Sequence, residues 1–204
     1  MATVTIVNYG LGNVHAFANI YHRLNIDVAI IDDAAGLAAA ERLILPGVGA
    51  FDWAMTRLNV SGLRDALDHA VVEKGVPVLG VCVGMQMMAL SSDEGTEAGL
   101  GWIDARVARL EAPDAHRYPL PHMGWNDVRP RSSDSLFTGI EAPRYYFLHS
   151  YYFVPEREED VLATASYGGD FTAAIRKGNI IGTQFHPEKS HQWGIDLLRN
   201  FAKI

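Results

Sequence analysis

The sequence predicts an α/β fold in which a mostly parallel, open sheet is flanked by helices and the second half adds an antiparallel or mixed strand region. Three observations predict this class. Over the first half, short apolar segments alternate with amphipathic ones, as strands and helices do in parallel sheets. The short segments are continuously apolar, which is typical of strands covered on both faces. After Gly101 the amphipathic segments give way to closely spaced strand-like segments.

The first half begins with a predicted strand at residues 3–8, which are mostly apolar and β-branched. Asn13 is the predicted N-cap of an amphipathic helix that runs to Leu24. Pro46-Gly47 is expected to stop the third strand, and Gly75 to close a helix. The elements after Leu24 are strands at 28–31 and 42–45, helices at 50–58 and 62–74, a strand at 76–81 and a helix from residue 85 to residue 90.

The second half consists mainly of predicted strands and ends in a helix. The strands lie at residues 107–110, 145–153, 161–166, 172–176 and 179–184, and the helix at residues 195–201. No linker rich in Ser, Gly or Pro separates the two halves. We therefore expect residues 1–204 to form one domain.

Composition argues against several classes of protein. The chain has 204 residues, one cysteine and a net charge of −7, from 24 acidic and 17 basic side chains. One cysteine cannot form an internal disulfide or a multi-cysteine zinc site, and it suits a reducing compartment. An acidic chain is a poor match for nucleic-acid phosphates. With no apolar run of membrane-spanning length and no signal-peptide pattern, we expect a cytoplasmic protein without metal or cofactor.

The single cysteine lies in a pattern that favours a nucleophile. Gly80 and Gly84 flank Cys82 at the predicted junction of a strand and a helix. The G-x-C-x-G pattern is typical of a sharp turn that needs small neighbours and strains the central residue. The helix N-terminus would favour a thiolate there, and the Val83 N–H would be free to face an oxyanion. A buried structural cysteine is the alternative.

His186 is the candidate base. It follows an apolar segment at residues 180–185, and the carboxyl ends of such strands are where open α/β sheets build their sites. Pro187 keeps the backbone extended, so Glu188 is expected to face the same side as His186 and to orient its ring. An ordinary surface turn would fit the same three residues. The predicted shared sheet edge with Cys82 is what favours a triad.

Residues 46–51 (PGVGAF) form a predicted turn between a strand and a helix. Its glycines would let backbone N–H groups approach a substrate, although a plain tight turn fits equally well. The segment matches neither G-x-G-x-x-G nor a P-loop, so it does not predict nucleotide binding.

Taken together, residues 80–86 (GVCVGMQ) and 182–188 (GTQFHPE) resemble the class I, or triad, glutamine amidotransferases. Four further segments narrow the resemblance to the glutaminase subunits of imidazole glycerol phosphate synthase, which serve histidine biosynthesis. These segments are residues 8–13 (NYGLGN), 46–51 (PGVGAF), 121–126 (PHMGWN) and 186–190 (HPEKS). The resemblance extends over almost the whole chain.

The resemblance implies a mechanism. Cys82 attacks the side-chain amide of glutamine, His186 passes the thiol proton to the departing ammonia, Glu188 orients His186, and water hydrolyses the γ-glutamyl thioester. It also implies an oxyanion hole at the Val83 and Val48 N–H groups. The implied glutamine-binding residues are Gly49, Gln86, His149, Ser150 and Tyr151, although residues 145–153 would also fit an aromatic core strand.

The resemblance further implies a partner, a (β/α)₈-barrel synthase in a heterodimer. The barrel would use the ammonia on a phosphoribulosyl nucleotide (PRFAR), giving imidazole glycerol phosphate and an aminoimidazole carboxamide ribotide (AICAR). The implied interface includes Asn13, Trp125 and Lys189, with Trp125 a candidate gate for the ammonia. Trp125 would equally fit an ordinary, partly buried aromatic.

Regulation can be predicted from residues 46–49. Because Gly47 can adopt positive φ, the Gly47-Val48 peptide could flip and remove the Val48 N–H from the oxyanion hole. We therefore expect little glutaminase activity without the partner and the partner's ligand. Three other readings stay open: a subunit of another class I amidotransferase, such as one for anthranilate or GMP synthesis; a stand-alone cysteine hydrolase or peptidase; and a non-catalytic interaction module.

Overall fold

An eight-stranded, mostly parallel sheet forms the centre of the structure, a computed structural model that describes residues 3–111, 113–131 and 133–204. The strands are β1 Val4–Val7, β2 Val28–Ile31, β3 Arg42–Gly47, β4 Val78–Cys82, β5 Ser91–Ser92, β6 Ala105–Arg109, β7 His122–Asp127, β8 Arg129–Pro130, β9 Arg144–His149, β10 Tyr151–Pro155, β11 Val161–Ser166, β12 Asp170–Lys177 and β13 Ile180–Thr183. The α-helices are α1 Val14–Arg23, α2 Ala34–Ala38, α3 Phe51–Ser61, α4 Arg64–Asp68, α5 Val83–Gln86 and α6 His191–Phe201.

The order of strands in this sheet is β2-β1-β3-β4-β13-β12-β11-β8. The first five strands are mutually parallel, and the last three continue the sheet in antiparallel pairs. Two smaller sheets are added, one of β10, β6 and β5 and one of β7 and β9. The predicted fold class is confirmed, including the change to antiparallel pairing in the second half.

Burial explains why the central strands form. Every residue of β1, β4 and β13 is buried, so their continuous apolar runs remove both faces from water. The strand β2 at the sheet edge is only partly buried. One apolar core extends from Val4 in the first strand to Phe201 in the last helix.

The register of three neighbouring strands brings the chemically important turns together. Pro46 of β3 is opposite Val81 of β4, and Val81 is opposite Thr183 of β13. Because all three strands are parallel, their carboxyl ends lie at one edge of the sheet. The turns that carry Cys82 and His186 therefore share an edge, as the sequence predicted.

Several predicted boundaries are wrong. The strand expected to stop before Pro46 continues through Gly47, because Pro46 and Gly47 remain in register with Val81 and Cys82. The strand expected at residues 145–153 is two strands, β9 and β10, separated by Ser150. The helix expected at 85–90 is the short α5, which begins at Val83 and ends at Gln86.

The helix expected at residues 62–74 begins at Arg64 and changes at His69 to a π-helical turn that ends at Glu73. Gly75, at φ 70°, closes it as expected. Among the strands and α-helices given above, α2, β5, β7 and β8 were not predicted, and neither were the 3₁₀ turns Ser135–Phe137, Glu158–Asp160 and Pro187–Lys189. Within the described ranges, no helix is long and apolar enough to cross a membrane.

Candidate active site

Cys82 ends β4 and occupies the N-cap position of α5. It is 4% exposed and has φ 56° and ψ −113°, a conformation that a residue with a side chain rarely adopts. The strain follows from the sharp turn between strand and helix. The predicted nucleophile turn is therefore formed, with the thiol at the sheet edge.

Close packing explains both flanking glycines. A Cβ atom on Gly84 would lie 2.0 Å from the Leu45 carbonyl oxygen, and one on Gly80 would lie 2.7 Å from the Gly84 oxygen. Real Cβ atoms do not approach backbone this closely, so larger residues would force the turn away from β3. The two glycines keep Cys82 against its neighbours.

His186 lies just beyond β13, which ends at Thr183, and its backbone N–H donates to the Tyr146 carbonyl at 2.9 Å. Its Nδ1 is 2.9 Å from Oε1 of Glu188. Ser190 Oγ accepts from the Tyr146 N–H at 3.0 Å and donates to the His186 carbonyl at 2.6 Å. These bonds fix the turn that presents the imidazole.

Electrostatics favour a protonated imidazole at this position. The His186 side chain is 3% exposed and that of Glu188 is 4% exposed. Burial alone lowers the pKa of His186, but hydrogen bonds and charges from Cys82 and Glu188 outweigh it and raise the pKa to about 10. Glu188 uses Oε1 for His186, whereas its buried Oε2 has no partner within the described part of the chain. The carboxylate is thus directed at the ring.

A cavity of about 350 Å³ opens above Cys82. Its size suits a small molecule. It is lined by Val48, Gly49, Cys82, Val83, Gln86, Glu94, Pro121, Leu148, His149, Ser150, Tyr151, His186 and Lys189. The structure therefore brings together around one cavity all the residues for which the sequence predicted oxyanion or glutamine contacts. Glu188 lies behind His186 instead of lining the cavity.

The side-chain amide of Gln86 is bound to the cavity wall. Its Nε2 donates to the Tyr151 carbonyl at 3.0 Å and to Oε1 of Gln184 at 3.1 Å. Gln184 Nε2 in turn lies 3.8 Å from the sulfur of Cys82. Buried amides thus connect the thiol to the strand that carries Tyr151.

The segment that carries Val48 is held at both ends. On one side the Tyr9 hydroxyl donates to the Pro46 carbonyl at 2.7 Å. On the other, Glu94 accepts from the Phe51 N–H at 2.9 Å and so caps α3. Positive φ is found at Gly49 (87°) and not at Gly47. The predicted flip of the Gly47-Val48 peptide relied on positive φ at Gly47. In this structure Gly47 does not have positive φ, so a flip would have to change its backbone conformation.

The three predicted interface residues lie in different settings. Asn13 is exposed and caps α1, since its Oδ1 accepts from the Ala16 N–H at 3.2 Å. Trp125 is 36% exposed and stacks on His191 with ring centroids 5.1 Å apart. Lys189 borders the cavity, which Asn13 and Trp125 do not line.

Four cavity or near-cavity residues were not predicted. Glu94 belongs to a segment without a recognisable motif, and Leu148, which is 38% exposed, has no sequence signal beyond being apolar in a predicted strand. Pro121 and Gln184 lie inside recognised motifs, 121–126 and 182–188, and could have been proposed on that ground. Within the described residues, no three His, Cys, Asp or Glu side chains are grouped to hold a metal ion.

Comparison with known proteins agrees with this geometry. The family model for class I glutamine amidotransferases matches residues 5–204. The imidazole glycerol phosphate synthase subunit HisH of Bdellovibrio bacteriovorus is 53% identical over 98% of this chain and 100% of its own length. The HisH subunit of Leptospira borgpetersenii is 47% identical, with the same two coverages of 98% and 100%. The chain also superimposes on a crystal structure of a glutamine amidotransferase with a TM-score of 0.75 at 21% sequence identity. The match covers 98% of this chain and 99% of the chain in that crystal structure.

Proposed function

The chain belongs to the class I glutamine amidotransferase family, and from this premise we propose that it is the glutaminase subunit of an imidazole glycerol phosphate synthase. It hydrolyses the side-chain amide of glutamine to glutamate and ammonia for histidine biosynthesis. Relatives that share about half of its sequence over their full length carry this name. The synthase chemistry on the nucleotide belongs to the partner subunit.

Cys82 is the proposed nucleophile. Its sulfur attacks the amide carbon of glutamine, and the C–N bond breaks as His186 transfers a proton to the leaving nitrogen. Ammonia leaves and a γ-glutamyl thioester remains. Water, deprotonated by His186, then attacks the thioester, and the S–C bond breaks to release glutamate. Glu188 keeps the imidazole oriented and stabilises its cation throughout.

The cavity walls support the binding of glutamine in this orientation. The N–H groups of Val83 and Val48 are the proposed oxyanion donors. Gly49, Gln86, His149, Ser150 and Tyr151 are the proposed substrate contacts, all of them in the cavity wall. The Glu94 carboxylate also lines the cavity and provides a negative charge for the α-ammonium group.

Ammonia is proposed to pass to a (β/α)₈-barrel synthase in a heterodimer. Transfer away from bulk water keeps ammonia unprotonated and nucleophilic. Asn13, Trp125 and Lys189 are the proposed contacts with the partner, and Trp125 is the proposed gate. A cytoplasmic location is proposed with this role, from the single unpaired cysteine and the biosynthetic names of the relatives.

The observation that carries the proposal is the shared edge of β4 and β13, which places Cys82 and His186 around one cavity, with Glu188 hydrogen-bonded to His186 from behind. The test is glutamate release measured with and without the barrel subunit and its nucleotide. Stimulation by both is expected, with loss of activity in Cys82→Ala. The matched control is Ser166→Ala, a surface change that should retain activity.

Other outcomes would select among the alternatives. Equal rates with and without the partner would contradict the subunit assignment and the oxyanion regulation. Hydrolysis of glutamyl peptides by the chain alone would favour a stand-alone hydrolase. Full activity in Cys82→Ala would remove the proposed mechanism.

A further inference from the structure

Two buried histidines lie outside the proposed triad and form one hydrogen-bonded chain. His122 and His149 are cross-strand partners in β7 and β9, and they are 3% and 6% exposed. His122 Nδ1 lies 3.0 Å from His149 Nε2, and His149 Nδ1 lies 2.9 Å from the Tyr151 carbonyl oxygen. At the other end, Asn126 Nδ2 lies 3.3 Å from His122 Nε2.

The acceptor at one end, the Tyr151 carbonyl, fixes the direction of every bond. The Tyr151 carbonyl can only accept, so His149 Nδ1 carries the proton. Burial lowers the pKa of His149 to about 3, which leaves its Nε2 without a proton, and His122 Nδ1 must donate to it. His122 Nε2 is then bare and accepts from Asn126.

The orientation of the Asn126 side-chain amide is consistent with this direction of the hydrogen bonds. Its Nδ2 also donates to the Ser166 carbonyl at 2.9 Å, a group that can only accept, so the nitrogen and not the oxygen faces His122. A doubly protonated His122 would place an N–H against the Asn126 amide hydrogens. Burial lowers the pKa of His122 to about 4, in agreement with a neutral ring.

The chain of bonds ends on the backbone of the glutamine cavity. The Tyr151 carbonyl oxygen accepts one hydrogen bond from His149 and one from Gln86. These two bonds use both lone pairs of that oxygen. His122 does not line the cavity, and it stacks on Phe147 and Tyr167 with ring centroids 4.9 and 4.1 Å apart. We propose that His122 is a positioning residue for glutamine binding, acting through the Nδ1–H tautomer of His149 on the Tyr151 carbonyl.

This inference rests on the proposed function, because it concerns the glutamine cavity. It separates the histidines at the site into two roles. His186 moves protons, whereas His149 is held neutral with its only N–H engaged by the Tyr151 carbonyl. Loss of the His122 donor leaves His149 Nε2 buried without a partner and frees the ring to turn.

The first test is the tautomeric state of both rings, read from long-range ¹H–¹⁵N NMR spectra of the protein labelled with ¹⁵N-histidine. Protonated Nδ1 and bare Nε2 on His122 and His149 are expected. A proton on Nε2 of His149 would overturn the proposal. This measurement uses the wild-type chain and needs no variant to fold.

The second test is kinetic and uses the complex with the synthase subunit. His122→Phe keeps an aromatic ring between its neighbours but removes the donor, so KM for glutamine should rise about tenfold. The kcat should stay within about twofold, because His122 and His149 make their hydrogen bonds to Asn126, to each other and to the Tyr151 carbonyl, and not directly to Cys82 or His186. His122→Asn places an amide N–H near the position of Nδ1 and should restore KM; His22→Phe, on the exposed surface of α1, is the control.

An unchanged KM in a folded His122→Phe, or a raised KM that His122→Asn does not restore, would overturn the proposal. If His122→Phe does not fold, the proposal is judged from the tautomers of His122 and His149 in the wild-type chain and from the KM of His122→Asn. A wild-type complex that hydrolyses no glutamine would instead contradict the proposed function. An active wild type with an unaffected variant contradicts only the positioning role.

Discussion

The ion pair between His186 and Glu188 links protonation of the imidazole to the stability of the fold. Burial opposes the charged ring, but Cys82 and Glu188 more than compensate, so the pKa rises from 6.5 to about 10. A raised pKa in the folded state means that the group stabilises the fold fully below pH 6.5. This stabilisation is lost progressively as the pH rises towards 10.

Glu188→Gln should therefore lower the pKa of His186 and flatten the fall in stability across that pH range. Glutamate release should fall by about 10²-fold or more, because an amide does not stabilise the imidazolium. NMR titration of the imidazole, urea unfolding at several pH values and glutaminase assays with the partner measure the three effects. Glu158→Gln, whose side chain is 90% exposed, is the control. An unchanged His186 pKa in Glu188→Gln would contradict the assigned role.

Backbone strain at Cys82 gives a second prediction at this scale. With φ 56° and ψ −113°, the residue has a conformation that only glycine adopts at little cost. Cys82→Gly should thus be more stable than Cys82→Ala by about 1–3 kcal/mol, measured by urea unfolding. The matched control pair is at Asn19, which is exposed within α1. There Asn19→Gly should instead be less stable than Asn19→Ala by about 1 kcal/mol. If Cys82→Ala is the more stable of the first pair, the strain is absent.

At the scale of elements, close approach between β3 and α5 depends on glycine. A Cβ on Gly84 would meet the Leu45 carbonyl at 2.0 Å, and backbone cannot move aside as a flexible side chain can. Gly84→Ala should destabilise the protein by about 1–3 kcal/mol or more. Gly169→Ala is the matched control, since no atom lies within 4 Å of its Cβ position and its φ is not strained. Urea unfolding that shows equal stability for the two variants would rule out this packing.

Elements differ in how far the sequence predicts them. The continuous apolar runs of β1 and β4 and the Asn13 cap could be predicted because burial and local hydrogen bonding decide them. The strands β7 and β8 could not, since much of their surface is exposed and their pairing with distant segments forms them. The break between β9 and β10 at Ser150 could not be predicted either, because it arises from the pairing of these strands in two different sheets.

The site shows the same contrast. Cys82 and His186 could be predicted because short motifs surround them. The contact of Glu94 with the Phe51 N–H joins segments 43 residues apart and has no local signal. The same holds for His122, whose partner His149 lies 27 positions away. Single-sequence patterns report local chemistry, whereas these contacts arise from tertiary pairing.

At the scale of the whole molecule, the two halves of the chain share one sheet and one core. The strand β13, from the second half, lies between β4 of the first half and β12. We therefore propose that residues 1–204 are one domain. Urea unfolding should show a single transition, with circular dichroism and Trp fluorescence coinciding. Two separate transitions would instead indicate two domains.

The position of β13 also has a consequence for protein synthesis. A nascent chain released only as far as residue 179 already contains Cys82, yet it lacks β13, the strand that covers β4, and His186, the proposed base. Until then β4 is an open, fully apolar strand edge that can pair wrongly with other chains. Cys82 and its proposed base therefore leave the ribosome at different times, and we expect a chain that terminates between them to be prone to aggregation and inactive as a glutaminase.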